Sequence, residues 1–166
     1  MTLSRPKRCA LDNTVLSTLH RARALARVLR LWPGRWLLPL DVRQEASRWR
    51  GECGTVLAIV DALRAEGLLE QDSINPASEG ALYAELQRTL GRGEAAAIAI
   101  VFHRRLTVAL DDRQGQRRCA ALVPPVSWYS TEGLLVEAVS DGMLTRVEAQ
   151  GIWAATGIQD PTRGIT

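Results

Sequence analysis

The sequence predicts an α/β domain, a three-layer α/β/α sandwich in which helices cover both faces of a mostly parallel central sheet. Short apolar runs alternate along the chain with longer segments whose apolar residues recur at helical spacing. Breakers such as Pro33-Gly34 and Asn75-Pro76 separate the segments, so we expect helical crossovers between parallel strands. A chain of 166 residues with 46% hydrophobic residues suits a single domain, residues 1–166.

The first half of the chain is expected to supply three strands. Its opening apolar run, Cys9-Ala10-Leu11, ends at Asp12, and residues 14–31 follow as one long amphipathic helix. The other elements expected here are a strand over residues 36–40, a helix with Asp41 as its N-cap, a helix over residues 55–65 and a short strand at Leu68-Leu69.

The second half is expected to supply two more strands, one of them at an edge of the sheet. An apolar run at residues 106–110 ends at Asp111-Asp112, and Pro124-Pro125 limits a strand over residues 123–128 to an edge position. The helices expected here cover residues 77–90, 93–104, 114–121, 131–142 and 146–156.

Acidic residues stand where several of these elements meet. Asp12 and the Asp111-Asp112 pair follow apolar strands, so they are expected at the same edge of a parallel sheet. Glu45 and Glu94 lie near helix starts that can project towards that edge. Carboxylates are the ligands that Mg²⁺ and Mn²⁺ prefer, and these cations assist phosphodiester hydrolysis. The pattern therefore predicts a divalent-metal site that cuts nucleic acid.

Each acid also has a structural interpretation. Asp12 suits the N-cap of the helix that follows it, and Asp111 or Asp112 suits the next helix cap in the same way. Glu94 is favoured near a helix N-terminus by the macrodipole, and Asp41 competes with Glu45 as the important acid of its segment.

Composition restricts the remaining classes of function. A net charge of +3 is compatible with a polyanionic substrate. The sequence contains no glycine-rich phosphate loop, which counts against nucleotide binding. No apolar run is long enough to span a membrane, and the basic N-terminus lacks the apolar stretch of a signal peptide, so we expect a cytoplasmic protein. The three widely spaced cysteines predict neither disulfides nor a thiolate metal site, and more than half of the five tryptophans are expected in the core.

Four stretches and the tail carry the motifs of a known family. They are LDNTVLSTL (11–19), PLDVRQEA (39–46), LGRGEAAAIAI (90–100), TVALDDRQGQRRCA (107–120) and the tail STEGLLVEAVSDGML (130–144). Together they resemble the PIN-domain family, most closely its compact prokaryotic VapC-type members. A GEAxAIA motif followed by a double Asp is typical of one PIN subgroup. The sequence departs from the family pattern at Glu94, where many members have Asp, and at Ser130-Thr131, where related sequences often have Gly-Thr.

This resemblance implies an endoribonuclease that depends on Mg²⁺ or Mn²⁺ and hydrolyses RNA through a metal-activated water. Asp12 and Glu94 would be central metal ligands, Asp111 or Asp112 would complete the set, and Glu45 would bind metal or orient the water. The implied partners are RNA, an antitoxin protein that holds a toxin inactive, and a second copy in a homodimer. The residues expected to contact substrate are Asn13, Thr131, Arg92, Arg113, Arg117 and Arg118.

Two other functions remain open from the sequence. One is a non-catalytic PIN-like module that binds RNA or a protein partner. The other is a phosphatase or nucleotide-handling α/β protein, against which the lack of a phosphate loop counts.

Overall fold

Five parallel strands form the central sheet in a computed structural model, which describes residues 8–49, 51, 53–158 and 165. The strands are β1 (Cys9–Leu11), β2 (Trp36–Pro39), β3 (Leu69–Asp72), β4 (Thr107–Ala109) and β5 (Trp128–Tyr129). Their order across the sheet is β3-β2-β1-β4-β5, with every neighbouring pair parallel. The predicted α/β/α class is therefore confirmed.

The helices of the described residues alternate with these strands along the chain. They are α1 (Asn13–Arg21), α2 (Leu25–Arg30), α3 (Leu40–Ala46), α4 (Cys53–Ala65), α5 (Gly80–Leu86), α6 (Arg92–Arg104), α7 (Arg113–Ala121), α8 (Thr131–Ser140) and α9 (Arg146–Ala155). None of the helices in the described part of the chain is long and apolar enough to cross a membrane.

The core lies in two clusters, one on each face of the sheet. Side chains of α1, α2, α4, α8 and α9 form the larger cluster, and side chains of α5, α6 and α7 contribute to the other. Helix α6 is buried along Ala95 to Val101, because its small alanines let it pack closely on the strands. The expectation for the tryptophans is confirmed, since Trp32, Trp36 and Trp153 are buried.

The single long helix predicted over residues 14–31 is wrong, because the chain breaks between α1 and α2. Arg23 has a left-handed backbone (φ 53°), and the Ala24 N–H donates to the Leu19 carbonyl at 2.9 Å. This arrangement closes α1 as a Schellman motif, which usually carries glycine at the left-handed position. Since an arginine stands there, the apolar pattern gave no sign of the break.

Other boundaries also differ from prediction, including that of β3, which extends to Asp72 beyond the predicted Leu68-Leu69. Asp41 does not cap α3, since Pro39 occupies the N-cap position and Asp41 lies in the first turn. Strand β5 is at the predicted edge but begins only at Trp128, because the two prolines before it offer no N–H groups to β4 and the Val126 N–H donates to the Cys119 carbonyl. The helix predicted over residues 77–90 is only the shorter α5.

Candidate active site

The carboxyl ends of β1 and β4 lie side by side and bring Asp12 and Asp111 to one edge of the sheet. The two strands are in register, with Leu11 opposite Ala109, and the Asp12 N–H donates to the Ala109 carbonyl at 2.9 Å. Asp12 follows β1 directly and Asp111 follows β4 after Leu110, so the two strands bring both acids to the same edge of the sheet.

Asp12 is almost fully buried and only one of its carboxylate oxygens has a protein partner. Its Oδ2 accepts hydrogen bonds from the Thr14 N–H at 3.0 Å and the Thr14 hydroxyl at 2.6 Å, and it thereby caps α1. Its Oδ1 is buried and has no hydrogen-bond partner among the described residues. Burial raises the pKa of Asp12, the Thr14 hydrogen bonds lower it in part, and the charge of Glu45 raises it further.

Glu94 lies in the first turn of α6 and faces the same group of acids. Its Oε1 is also buried, and no hydrogen-bond partner for it is found in the part of the chain that the structure describes. Burial raises the pKa of Glu94 to about 8, and the charges of Asp12, Asp112 and Glu45 add to the increase. The nearby Cys119 thiol has a pKa raised to about 12, first by its burial and then by the charges of Glu94 and Asp12. It is a buried neutral group, as the composition predicted.

The Asp111 carboxylate is held by the start of α8. Its Oδ1 accepts the Thr131 N–H at 2.8 Å, and its Oδ2 accepts the Thr131 hydroxyl at 2.6 Å. Thr131 is fully buried, so its hydroxyl reaches Asp111 and not the surface. Thr131 therefore lies beside the site, as expected, where it orients an acid.

Asp112 caps the next helix. Its Oδ2 accepts the N–H groups of Gln114 at 2.7 Å and Gly115 at 3.0 Å at the start of α7. The sequence left open which aspartate of the pair caps this helix, and the structure answers that it is Asp112. Its charge nevertheless reaches Glu94, so both aspartates remain predicted metal ligands.

Glu45, and not Asp41, faces the buried acids. Glu45 Oε1 accepts the Gly93 N–H at 2.8 Å at the start of α6, and its charge raises the pKa of both Asp12 and Glu94. Asp41 instead accepts the Tyr83 hydroxyl at 2.8 Å and pairs with Arg92 at 3.2 Å.

The predicted substrate contacts are distributed around this edge. Asn13 is the first residue of α1, and its Oδ1 is buried without a hydrogen-bond partner. Arg92 and Arg113 are exposed at the starts of α6 and α7. Of the other two arginines, Arg117 is exposed and Arg118 pairs with Glu85 at 3.0 Å.

A family model whose description is "PIN domain" matches residues 9–150, which include every acid described above. The chain belongs to the PIN-domain family. The resemblance inferred from the motifs is thereby confirmed, and the fold is a nuclease-like fold. No curated protein matches the sequence significantly.

Two residues that position acids in this PIN domain were not identified from the sequence. The Thr14 hydroxyl donates to Asp12 and accepts the Asp111 N–H at 2.9 Å, so it links the two strand ends. Gly115 leaves room for Glu94, since a Cβ atom at this position would lie 2.0 Å from Glu94 Oε1. The available signal was a glycine inside a predicted helix, which costs stability and often marks a close approach.

The side chains at this edge match a hard divalent cation in the type of atom they offer. Carboxylate oxygens are the preferred ligands of Mg²⁺ and Mn²⁺, and two such oxygens are buried here without a partner. As the side chains stand, no group of three or more His, Cys, Asp or Glu among the described residues is arranged to hold a metal ion. Several of the acids instead accept hydrogen bonds from neighbouring N–H and O–H groups.

Proposed function

We propose that this PIN domain is an endoribonuclease that depends on Mg²⁺ or Mn²⁺ and hydrolyses RNA phosphodiester bonds. The observation that carries the proposal is the pair of buried, unpartnered oxygens, Asp12 Oδ1 and Glu94 Oε1. A buried carboxylate without a partner costs free energy, and like charges nearby increase that cost. A bound divalent cation would offset both costs. Metal binding would therefore explain why several acids gather at this edge, which packing does not explain.

The proposed ligands are Asp12 and Glu94, with Asp111 or Asp112 completing the set and Glu45 binding metal or orienting water. A divalent cation bound there would polarise the phosphodiester and lower the pKa of the attacking water. Thr14 and Thr131 would hold Asp12 and Asp111 in place, since each donates two hydrogen bonds to its aspartate.

The RNA would approach from the exposed side of this edge. Arg92 lies at the start of α6, which bears Glu94, and Arg113 lies at the start of α7, directly after Asp112. A guanidinium at either position can bind two phosphate oxygens. Asn13 lies beside Asp12 with a side-chain oxygen that lacks a hydrogen-bond partner among the residues that the structure describes. The net charge of +3 favours encounter with a polyanion.

The proposed cellular role is the toxin of a toxin–antitoxin pair. The support is the resemblance of the motifs to compact VapC-type members, which extends over nearly the whole chain. Expression of the protein alone should arrest growth, and co-expression of a short neighbouring reading frame should relieve the arrest. An antitoxin partner, a homodimer and a cytoplasmic location belong to the same proposal.

A non-catalytic module that binds RNA or a protein partner is the alternative function. The observation that favours it is the structural use of the acids, since Asp12 caps α1 and Asp112 caps α7. In a module of this kind the acids would serve as helix caps, and no turnover would occur.

A cleavage assay separates these two functions. The protein is incubated with single-stranded and structured RNA, with Mn²⁺ or with chelator. Asp12→Asn and Glu94→Gln are expected to reduce metal-dependent cleavage by about 100-fold or more, since each removes a metal ligand. Asp141→Asn is the matched control, because Asp141 is exposed at the end of α8. Cleavage that persists in chelator, or in both site variants, would contradict the metal site. No cleavage by folded wild type would favour the binding module.

A further inference from the structure

A cavity of about 510 Å³ lies at the far end of α1, away from the carboxylates. His20 and Arg21 of α1, Arg23 between α1 and α2, and Thr55 and Ile59 of α4 contribute to its lining. The side chains therefore combine positive charge, an aromatic ring and an apolar floor. None of the acids of the candidate active site lines this cavity.

The two arginines of this cavity differ from their neighbours, because neither is paired with an acid among the described residues. Arg27 and Arg30 of α2 form ion pairs with Glu148 and Glu66. Arg21 and Arg23 are exposed, and neither forms an ion pair within the part of the chain that the structure describes. Their exposed guanidinium groups can donate hydrogen bonds to an anion such as a phosphate.

An aromatic pair stands beside these cations. The His20 ring packs against the Trp49 ring, with centroids 6.3 Å apart and planes tilted by 37°. Both side chains are partly exposed, so the pair presents part of its surface to solvent. Aromatic surfaces next to guanidinium groups are the combination on which unpaired nucleic-acid bases stack while their phosphates are neutralised.

Two helices connect this cavity to the carboxylates. Asn13, Ser17 and His20 share one partly exposed face of α1, which begins next to Asp12. Seven residues of helix span about 10 Å, which is about three stacked nucleotides. On the other side, Trp49 follows Glu45 by four residues and lies three residues beyond the end of α3 at Ala46. A strand that passes over the acids can therefore extend along α1 to the aromatic pair.

We propose that this cavity is a subsite for an unpaired stretch of the RNA substrate, about three nucleotides from the bond that is cut. One base stacks on the His20–Trp49 pair, and Arg21 and Arg23 bind the adjacent phosphates. This inference rests on the proposed function and adds a subsite at the far end of α1 that holds one base and the adjacent phosphates of an unpaired strand. A duplex keeps its bases inside the helix, so it gains the phosphate contacts but not the stacking.

The subsite is tested first by binding without cleavage. Fluorescence anisotropy in chelator measures the Kd of a labelled single-stranded oligoribonucleotide and of a duplex of equal length. Arg21→Gln with Arg23→Gln should weaken single-strand binding about tenfold or more. The slope of log K against log salt should fall by about 1.4, since each phosphate contact on a single strand contributes about 0.7. Trp49→Leu should weaken single-strand binding about tenfold with an unchanged slope and leave duplex binding within about twofold.

A control variant removes one arginine charge from the opposite face of the sheet. Arg105 is exposed at the end of α6, and asparagine accepts its left-handed backbone (φ 54°), so Arg105→Asn should bind RNA as the wild type does. Because Trp49 packs against the core, circular dichroism must show that Trp49→Leu is folded, and the exposed arginines supply the test that does not depend on packing. Wild-type single-strand affinity in the arginine variant, or an equal loss for duplex from Trp49→Leu, would overturn the subsite.

The same proteins distinguish this inference from the proposed function. If the variants lose single-strand binding but the wild type never cleaves in Mn²⁺, the nuclease proposal fails and the subsite remains as a binding site. If the wild type cleaves and the variants cleave the single strand equally well, the subsite fails and the nuclease proposal remains.

Discussion

Two glycines determine where the glutamates of the site can lie. A Cβ atom at Gly93 would lie 2.7 Å from Glu45 Oε2, and a Cβ atom at Gly115 would lie 2.0 Å from Glu94 Oε1. Such contacts are far inside the van der Waals distance, so either glutamate would have to move if its glycine gained a side chain. The space beside each carboxylate is therefore created by the absence of a side chain on a neighbouring helix.

Gly115→Ala should displace the Glu94 carboxylate while the fold survives. The clash involves the flexible end of Glu94 and, at 2.9 Å, a methyl group of Leu110, and both can shift at a cost of about 1–3 kcal/mol. We expect metal-dependent cleavage to fall at least tenfold, with the circular dichroism spectrum unchanged. Gly151→Ala is the matched control, since no atom of another described residue lies within 4 Å of a Cβ at this helical glycine. Equal activity of the two alanine variants would contradict the positioning role of Gly115.

The acidic residues at this edge could be predicted from the sequence, but the groups that hydrogen-bond to them could not. Asp12 and Asp111 were predictable because carboxylates after apolar strands stand out against the pattern. The Thr14 hydroxyl was not predictable, because its bond to Asp12 is local whereas its bond to the Asp111 N–H joins residues 97 positions apart. Contacts between distant residues depend on strand order and register, which periodicity does not encode.

At the scale of elements, a buried arginine connects the start of β2 to α8. Arg35 is 1% exposed, pairs with Glu137 at 2.7 Å and lies 4.8 to 5.2 Å from the ring centres of Trp32, Trp36 and Tyr129. The Tyr129 hydroxyl donates to the other oxygen of Glu137 at 3.2 Å. This network joins β2, β5 and α8 on one face of the sheet.

Glu137→Gln should destabilise the protein strongly, because it leaves the Arg35 guanidinium buried without a counter-charge. Removing one partner of a buried ion pair costs about 3–5 kcal/mol. Urea unfolding followed by circular dichroism should show a clearly lower midpoint. The exposed Arg30–Glu66 pair provides the control, and Glu66→Gln should leave the midpoint nearly unchanged. Similar midpoints for the two variants would show that the Arg35–Glu137 pair does not stabilise the contact between β2 and α8.

The predicted elements agree with the structure where the hydrophobic pattern decides them. Strands β1 and β4 and helix α6 lie within about a residue of their predicted bounds, because buried apolar runs and capping glycines mark them. The break between α1 and α2 was missed because the left-handed residue is Arg23 and not glycine. The predicted β5 was too long, because strand length depends on which backbone groups hydrogen-bond to β4, and the hydrophobic pattern does not show this.

At the scale of the whole molecule, the acids occupy the edge of a sheet whose two faces are closed by apolar clusters. The clusters exclude water from Asp12 and part of Glu94, so burial is the largest cause of the raised pKa of both groups. The buried carboxylates therefore destabilise the folded state, and the apolar core must offset that cost. A metal site can carry this cost, because binding of the metal to the folded state stabilises it.

The stability of the metal-free protein should therefore fall as pH rises, and Glu94→Gln should reduce that fall. The pKa of Glu94 is about 8 in the fold, whereas its ordinary value is 4.5. Below pH 4.5 both states are protonated and the group has no effect. Between these values the unfolded chain releases a proton that the folded chain retains, so stability declines, and above about pH 8 the full penalty is present.

Thermal unfolding in chelator at pH 5 and pH 8.5 measures this difference. Glu94→Gln should match the wild type at the lower pH and melt several degrees higher at the upper one. Mn²⁺ at the upper pH should raise the Tm of the wild type, since the cation neutralises the like charges of Asp12, Asp112 and Glu45 around Glu94, and should have a much smaller effect on the variant. Asp141→Asn should follow the wild type under all conditions. A Tm difference between wild type and Glu94→Gln that does not change with pH would show that the Glu94 carboxylate is not strained by its neighbours, and the argument for a cation at this edge would lose its energetic basis.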